Sequence, residues 1–176
     1  ASPADMVLQG LAIVPSGPQK REALRRLIAS EKAEAGLIFC NRKRDVDVLA
    51  RSLKKHGFNA AALHGDMSQP ARMETLENFK AGRLAFLVAS DVAARGLDIT
   101  GLPYVFNFDV PTHPEDYVHR IGRTGRAGRP GTALTLATSA DGKYVANIEQ
   151  LIKKKIPRFD IDGHGDLKLD AAEGGR

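Results

Sequence analysis

The chain has 176 residues, enough for one domain with a sizeable core, and its 43% hydrophobic and 27% charged content is that of an ordinary globular protein. No apolar run approaches the length of a membrane span, and the opening Ala1-Ser2-Pro3-Ala4-Asp5 is no signal peptide, so a cytoplasmic setting is expected, with no membrane partner. The formal charge of +5 is uneven: residues 160–176 hold five acids against two cations, a net of −3, which leaves +8 on the body and suits a polyanionic partner.

In chain order, strand-like and helix-like segments alternate. Residues 7–14 read as a strand closed by Pro15-Ser16-Gly17-Pro18, and 19–29 have helical spacing through Ala23, Leu24, Leu27 and Ile28. Residues 36–40 form a short continuous apolar run, the pattern of a strand buried on both faces. Asn41 stands where it would cap a helix over 42–55, whose stripe is Val46, Leu49, Ala50 and Leu53 and whose stop is Gly57. The pattern repeats as strand 59–63, helix 69–81, strand 85–89 and a short helix around Val92. Strand 104–108, helix 114–121, strand 132–137 and helix 140–153 complete it. Repeated strand–helix units with apolar strands predict an α/β fold, a parallel sheet with helices on both faces. The expected domain covers residues 1–159, with the glycine-rich acidic stretch 160–176 as a flexible tail; by composition the chain already reads as flexible after Pro157. The one cysteine, Cys40, has no partner for an internal disulfide, which fits a reducing compartment.

Ligands of such sheets gather at the carboxyl ends of the strands. The chemically suggestive residues fall there: Asn41, Arg42 and Lys43 after the second strand, then His64, Gly65, Asp66, Gln69 and Arg72 after the third. Ser90, Asp91, Arg95, Gly96 and Asp98 follow the fourth, and Asp109 follows the fifth. Beyond it lies His119-Arg120-Ile121-Gly122-Arg123-Thr124-Gly125-Arg126, in which Arg120, Arg123 and Arg126, with Arg129 next, recur at every third residue. Guanidinium groups grip phosphate oxygens with a planar fork, so this glycine-rich run reads as a phosphate clamp, against the plainer reading of a solvated basic loop. Other residues have plain readings too. Asp98 could cap a turn or pair with Arg95, and Arg42, Lys43 and Arg44 could be a solvated helix face. Lys153-Lys154-Lys155 suits a helix end. His64 reads as a loop or packing histidine, and His64, Asp66 and His119 have no metal-binding spacing, so no metal ligands are expected in the chain.

The run HRIGRTGR resembles the last signature motif of DEAD-box RNA helicases, in their carboxy-terminal RecA-like lobe. Related families usually open this motif with glutamine, so the histidine favours the DEAD-box branch over a DNA-directed helicase. Leu37-Ile38-Phe39-Cys40-Asn41 is similar to the family's motif IV, Gln69-Pro70-Ala71-Arg72 to its QxxR element, and residues 90–99 to its motif V, with Ser90 where threonine is commoner. The resemblance implies a P-loop-type fold, with Arg123 and Arg126 as catalytic arginine fingers that also touch ATP, beside Asp98 and Gly96. It implies interlobe coupling through His119 and Arg95, and RNA contact through Arg72, Ser90, Asn41, Gln69 and Gly65. It also implies ATP with Mg2+ as cofactor and, as partners, RNA and an amino-terminal RecA-like lobe that holds most of the metal site. The sequence itself has no phosphate loop ending in Gly-Lys-Ser/Thr and no Asp-Glu-Ala-Asp run. The lobe alone is therefore expected to be inactive. The alternatives are a non-catalytic RNA-binding or interaction module of the same fold and a lobe of a DNA-directed helicase.

Overall fold

Every apolar run of four to seven residues becomes a strand of one sheet. The computed structural model describes residues 6–125, 129–161 and 165–171. Its strands are β1 Val7–Ile13, β2 Gly36–Cys40, β3 Ala60–Leu63, β4 Phe86–Ser90, β5 Tyr104–Asn107 and β6 Gly131–Ala137. They lie in the order β1-β6-β5-β2-β4-β3, and every pairing is parallel. The helices are α1 Pro18–Glu31, α2 Lys43–Lys55, α3 Gln69–Lys80, α4 Asp91–Ala94, α5 Pro114–Ile121 and α6 Gly142–Ile152. None of them is long and apolar enough to cross a membrane.

Two cores follow from this layering. On one face α1 and α2 press Leu24, Leu27, Val46, Leu49 and Leu53 against Ile38, Val88 and Phe106. On the other, α3, α5 and α6 bring Leu76, Phe79, Tyr117, Ile121 and Ile148 onto Leu37, Phe39 and Leu87. Strands β2 and β4 sit inside the sheet and are buried at every residue, which is why they read as unbroken apolar runs.

Local chemistry shifts some boundaries. Helix α1 starts at Pro18, whose fixed φ and missing N–H suit a first turn. Asn41 does not cap α2: the residue before the helix is Arg42, with no side-chain cap, because the Asn41 amide is engaged elsewhere. The last helix is broken at its start. A 3₁₀ turn over Ser139–Asp141 is fixed by the Asp141 carboxylate, which accepts from the Thr138 N–H at 2.8 Å, and α6 begins only at Gly142. It ends at Ile152, with Lys153 left-handed at φ 59°.

The segment after Pro157 is not loose from its start. Leu11 donates to the Pro157 carbonyl at 2.9 Å and accepts from the Phe159 N–H at 3.1 Å, and Ile161 is buried. An edge strand leaves backbone groups unpaired, and this segment satisfies those of Leu11. Packing therefore runs past residue 159, and farther on Asp170 donates to the Ser139 carbonyl at 2.8 Å.

Candidate functional site

At the carboxyl rim of β2, β4 and β5 the polar residues are gathered by one side chain. Helix α5 opens on Pro114 with Glu115 and Asp116 in its first turn, and turns Tyr117, Arg120 and Ile121 inward. Arg120 is 1% exposed. Its guanidinium donates to both Asp91 oxygens at 2.8 and 2.7 Å, to Asn41 Oδ1 at 2.7 Å and to the Asp109 carbonyl at 2.8 Å. A weaker bond of 3.4 Å reaches Asn107 Oδ1, and the group lies 5.1 Å from the centre of the Phe39 ring. A second buried cation completes the cluster. Lys20, from α1, donates to Asp109 Oδ1 at 2.7 Å above the Phe108 ring, while Asp109 Oδ2 accepts from the Asn41 N–H at 2.8 Å. Two cations thus meet two carboxylates, and every N–H of the Arg120 guanidinium finds an acceptor, the condition under which a buried ion pair is tolerable. Beneath this cluster, burial, seconded by the Asp109 charge, pushes the Cys40 thiol well above its ordinary range.

The neighbouring loop is held by Arg123. Ser90 Oγ accepts from the Ala93 N–H and so starts the short α4. The chain then turns through Gly96 at φ +79°, with nothing within 4 Å of where a Cβ would stand. Arg123 donates to the carbonyls of Leu97 at 2.6 Å, Ile99 at 3.3 Å and Ala94 at 2.9 Å, so its fork fixes this loop from outside. A cavity of about 240 Å³ opens between loop and α5, and Arg95, Gly96, His119 and Arg123 all line it. The His119 side chain is 76% exposed and its Nδ1 lies 4.0 Å from Asp116.

A second set sits where β3 passes into α3. His64 Nδ1 accepts from the Asp66 N–H at 3.2 Å, so its proton is on Nε2, which donates to Asp47 at 3.1 Å. Lys43 pairs with Asp66 at 3.0 Å and, by that hydrogen bond and its charge, holds the carboxyl below its ordinary value. Gly65 and Gln69 are exposed on the same loop and helix start. Arg72 crosses from α3 to the Ala93 carbonyl at 3.4 Å, with its Nε buried and without a partner. Ser90 and Arg72 therefore meet the same residue, Ala93, from two sides.

The structure thus brings the predicted residues into three places. Arg95, Gly96, His119 and Arg123 share the cavity. Gly65, Gln69, Arg72 and Ser90 lie along the adjoining rim. Asn41 stands apart, with both side-chain polar atoms turned inward to Arg120 and the Val110 carbonyl. Asp98 is exposed and has no ion pair with Arg95 or any other described residue. Arg126 lies outside the described residues. Among those described, no three His, Cys, Asp or Glu side chains are grouped to hold a metal ion. The sequence reading missed the joint role of Arg120, Lys20, Asp91 and Asp109. Asp91 and Asp109 stood out as rim residues, but the Lys20–Asp109 pair spans 89 positions and carries no local signal.

Comparison with known proteins agrees with this geometry. The model of the helicase conserved C-terminal domain matches residues 19–128. The DEAD-box ATP-dependent RNA helicase CshA of Bacillus subtilis is 49% identical over 141 residues, 80% of this chain and 28% of that protein. Its counterpart in Bacillus cereus is 46% identical over 142 residues, 81% of this chain and 27% of the relative. The chain therefore spans little more than a quarter of the curated relatives it matches. Among solved structures, the Escherichia coli DEAD-box protein SrmB, bound to regulator of ribonuclease activity A, superposes with a TM-score of 0.87 at 34% identity, covering 94% of this chain and 98% of that one. Saccharomyces cerevisiae Dbp5 bound to RNA and ADP BeF3 gives 0.78 at 31% identity, covering 90% and 42%. Sheet order, rim motifs and these matches coincide, and the chain belongs to the helicase conserved C-terminal domain family as a carboxy-terminal RecA-like lobe of the DEAD-box RNA helicase type.

Proposed function

We propose that this chain is the carboxy-terminal half of an ATP-dependent RNA helicase, which supplies arginine fingers and RNA-backbone contacts to a two-lobe ATPase that separates short duplexes. The observation that carries this reading is the single cavity lined by Arg95, Gly96, His119 and Arg123, next to the rim of Gly65, Gln69, Arg72 and Ser90. Dbp5, a relative with this lobe, has been solved with RNA and ADP BeF3.

The residues fit a phosphate-bearing nucleotide. Arg95 is exposed, Asp98 has no ion pair among the described residues and is open to a ribose hydroxyl, and Gly96 lets the backbone be approached closely. ATP, with Mg2+ held mainly by the amino-terminal lobe, would supply the transferable phosphoryl group. Arg123 and Arg126 would meet the charge that spreads over its oxygens, an effect typically worth on the order of 10³–10⁵ in rate. Arg123 donates to three carbonyls of the 94–99 loop, so turning it towards a phosphate would loosen that loop and couple the nucleotide to the RNA rim. His119, exposed at the cavity mouth, is placed to meet the other lobe.

With no phosphate loop of its own, the chain alone should show no RNA-stimulated ATP hydrolysis. Joined to the amino-terminal lobe of its full-length protein, it should. Robust turnover by the purified lobe, with contaminating ATPases excluded, would overturn the two-lobe reading.

A further inference from the structure

The positive charge of this protein is not confined to the motif loops. Residues 18–55 hold eleven Lys and Arg against five Asp and Glu, a net of +6, which exceeds the +5 of the whole chain. That interval is α1, β2 and α2, and both helices lie on the same face of the sheet.

The arrangement of the cations on that face is regular. Arg44, Val48, Arg51 and Lys55 are exposed and recur at helical spacing on the side of α2 opposite its buried stripe of Val46, Leu49, Ala50 and Leu53. At about 1.5 Å per residue the ridge runs roughly 16 Å down the helix from its rim end. On the neighbouring flank of α1, Arg21 and Arg25 are one turn apart, and Arg25 donates across the helix pair to Ser52 Oγ at 3.3 Å. None of Arg21, Arg44, Arg51, Lys54 or Lys55 has a carboxylate within ion-pairing distance among the described residues.

We infer that the α1–α2 face is a second RNA-backbone surface, outside the cleft between lobes, which holds the flank of the RNA that the rim engages. Three features favour RNA over an acidic protein. The ridge begins at Arg44, next to Lys43, which pairs with Asp66 on the Gly65 loop at 3.0 Å, and so adjoins the proposed RNA rim. Several of its cations are arginines, which suit phosphate forks. Its exposed stripe carries Val48 but no aromatic side chain, and the centres of protein–protein interfaces are built on aromatic anchors with few charges.

This inference rests on the RNA reading above, and the test separates the two. A short fluorescein-labelled RNA duplex with a single-stranded overhang is titrated with the 176-residue chain across a sodium chloride series, with anisotropy as the readout. The variants are Arg44→Glu/Arg51→Glu/Lys55→Glu, its Gln counterpart, and the rim variant Arg72→Glu. Loss of three phosphate contacts should lower affinity by at least about tenfold and flatten the salt slope by roughly 2–3. The Gln triple should fall between parent and Glu triple, with unchanged circular dichroism in both. A Glu triple that binds like the parent while Arg72→Glu fails would overturn the ridge and leave the RNA reading intact. A parent that does not bind the duplex even at low salt would overturn both. Polyglutamate that binds the parent as tightly as RNA at equal charge, and loses this in the Glu triple, would assign the face to acidic protein instead.

Discussion

Arg120 and Arg51 show what one residue type does in two settings. Arg120 is 1% exposed and is enclosed by two carboxylate oxygens, an amide oxygen and a carbonyl, whereas Arg51 is exposed and has no carboxylate in reach among the described residues. A charge in the first setting is part of the fold, because the desolvation of the cation is offset only by complete pairing. A charge in the second is free to meet a ligand and contributes little to stability. The motif HRIGRTGR mixes such roles: Arg120 clamps the rim, while Arg123 holds a loop by three carbonyls at the cavity edge.

Substitutions should widen or erase that contrast. The largest effect is expected at Arg120. Arg120→Ala leaves Asp91 without its buried partner and should cost about 3–5 kcal/mol, a large fraction of a domain's stability. Arg120→Lys keeps the charge but loses the fork, so urea unfolding should place it between parent and Ala. A native-like unfolding midpoint for Arg120→Ala would put the clamp in doubt. Next comes Lys20→Met, which breaks the 2.7 Å bond to Asp109 but leaves the Asn41 N–H on that carboxylate. A loss of roughly 1.5–3 kcal/mol is expected by the same measurement, the usual range for a hydrogen bond to a charged group. The smallest effect belongs to the ridge, where Arg51→Glu should leave the melting temperature unmoved while RNA affinity falls. A clear drop in melting temperature there would mean that the two arginines differ less than their surroundings suggest.

Much of the fold was legible because it rests on period and punctuation. Strand β2 and helix α5 have the bounds read from their apolar pattern and flanking residues, Gly36–Cys40 and Pro114–Ile121. The misreadings share a cause, a polar group drawn to a partner remote in sequence. Asn41 looked like a helix cap because its neighbours favour one, yet its amide serves Arg120, 79 positions away. The chain after Pro157 looked loose by composition, yet the edge of β1 gives its first residues a place. The rim loops were legible as loops, since polar residues follow each strand. Which arginine clamps the buried carboxylates and which holds the outer loop was not, because the repeat of every third residue treats Arg120 and Arg123 alike.

The central claim is that this lobe completes an ATPase through its arginine segment rather than merely carrying the fold. Single-turnover hydrolysis by the two-lobe protein tests it most directly, with the parent, Arg126→Lys and Arg126→Ala compared alongside ATP affinity and thermal melting. Arg126→Ala should hydrolyse ATP on the order of 10³-fold more slowly or worse, with Arg126→Lys little better, while affinity and melting stay close to the parent. Hydrolysis within a few-fold of the parent in Arg126→Ala would contradict the claim.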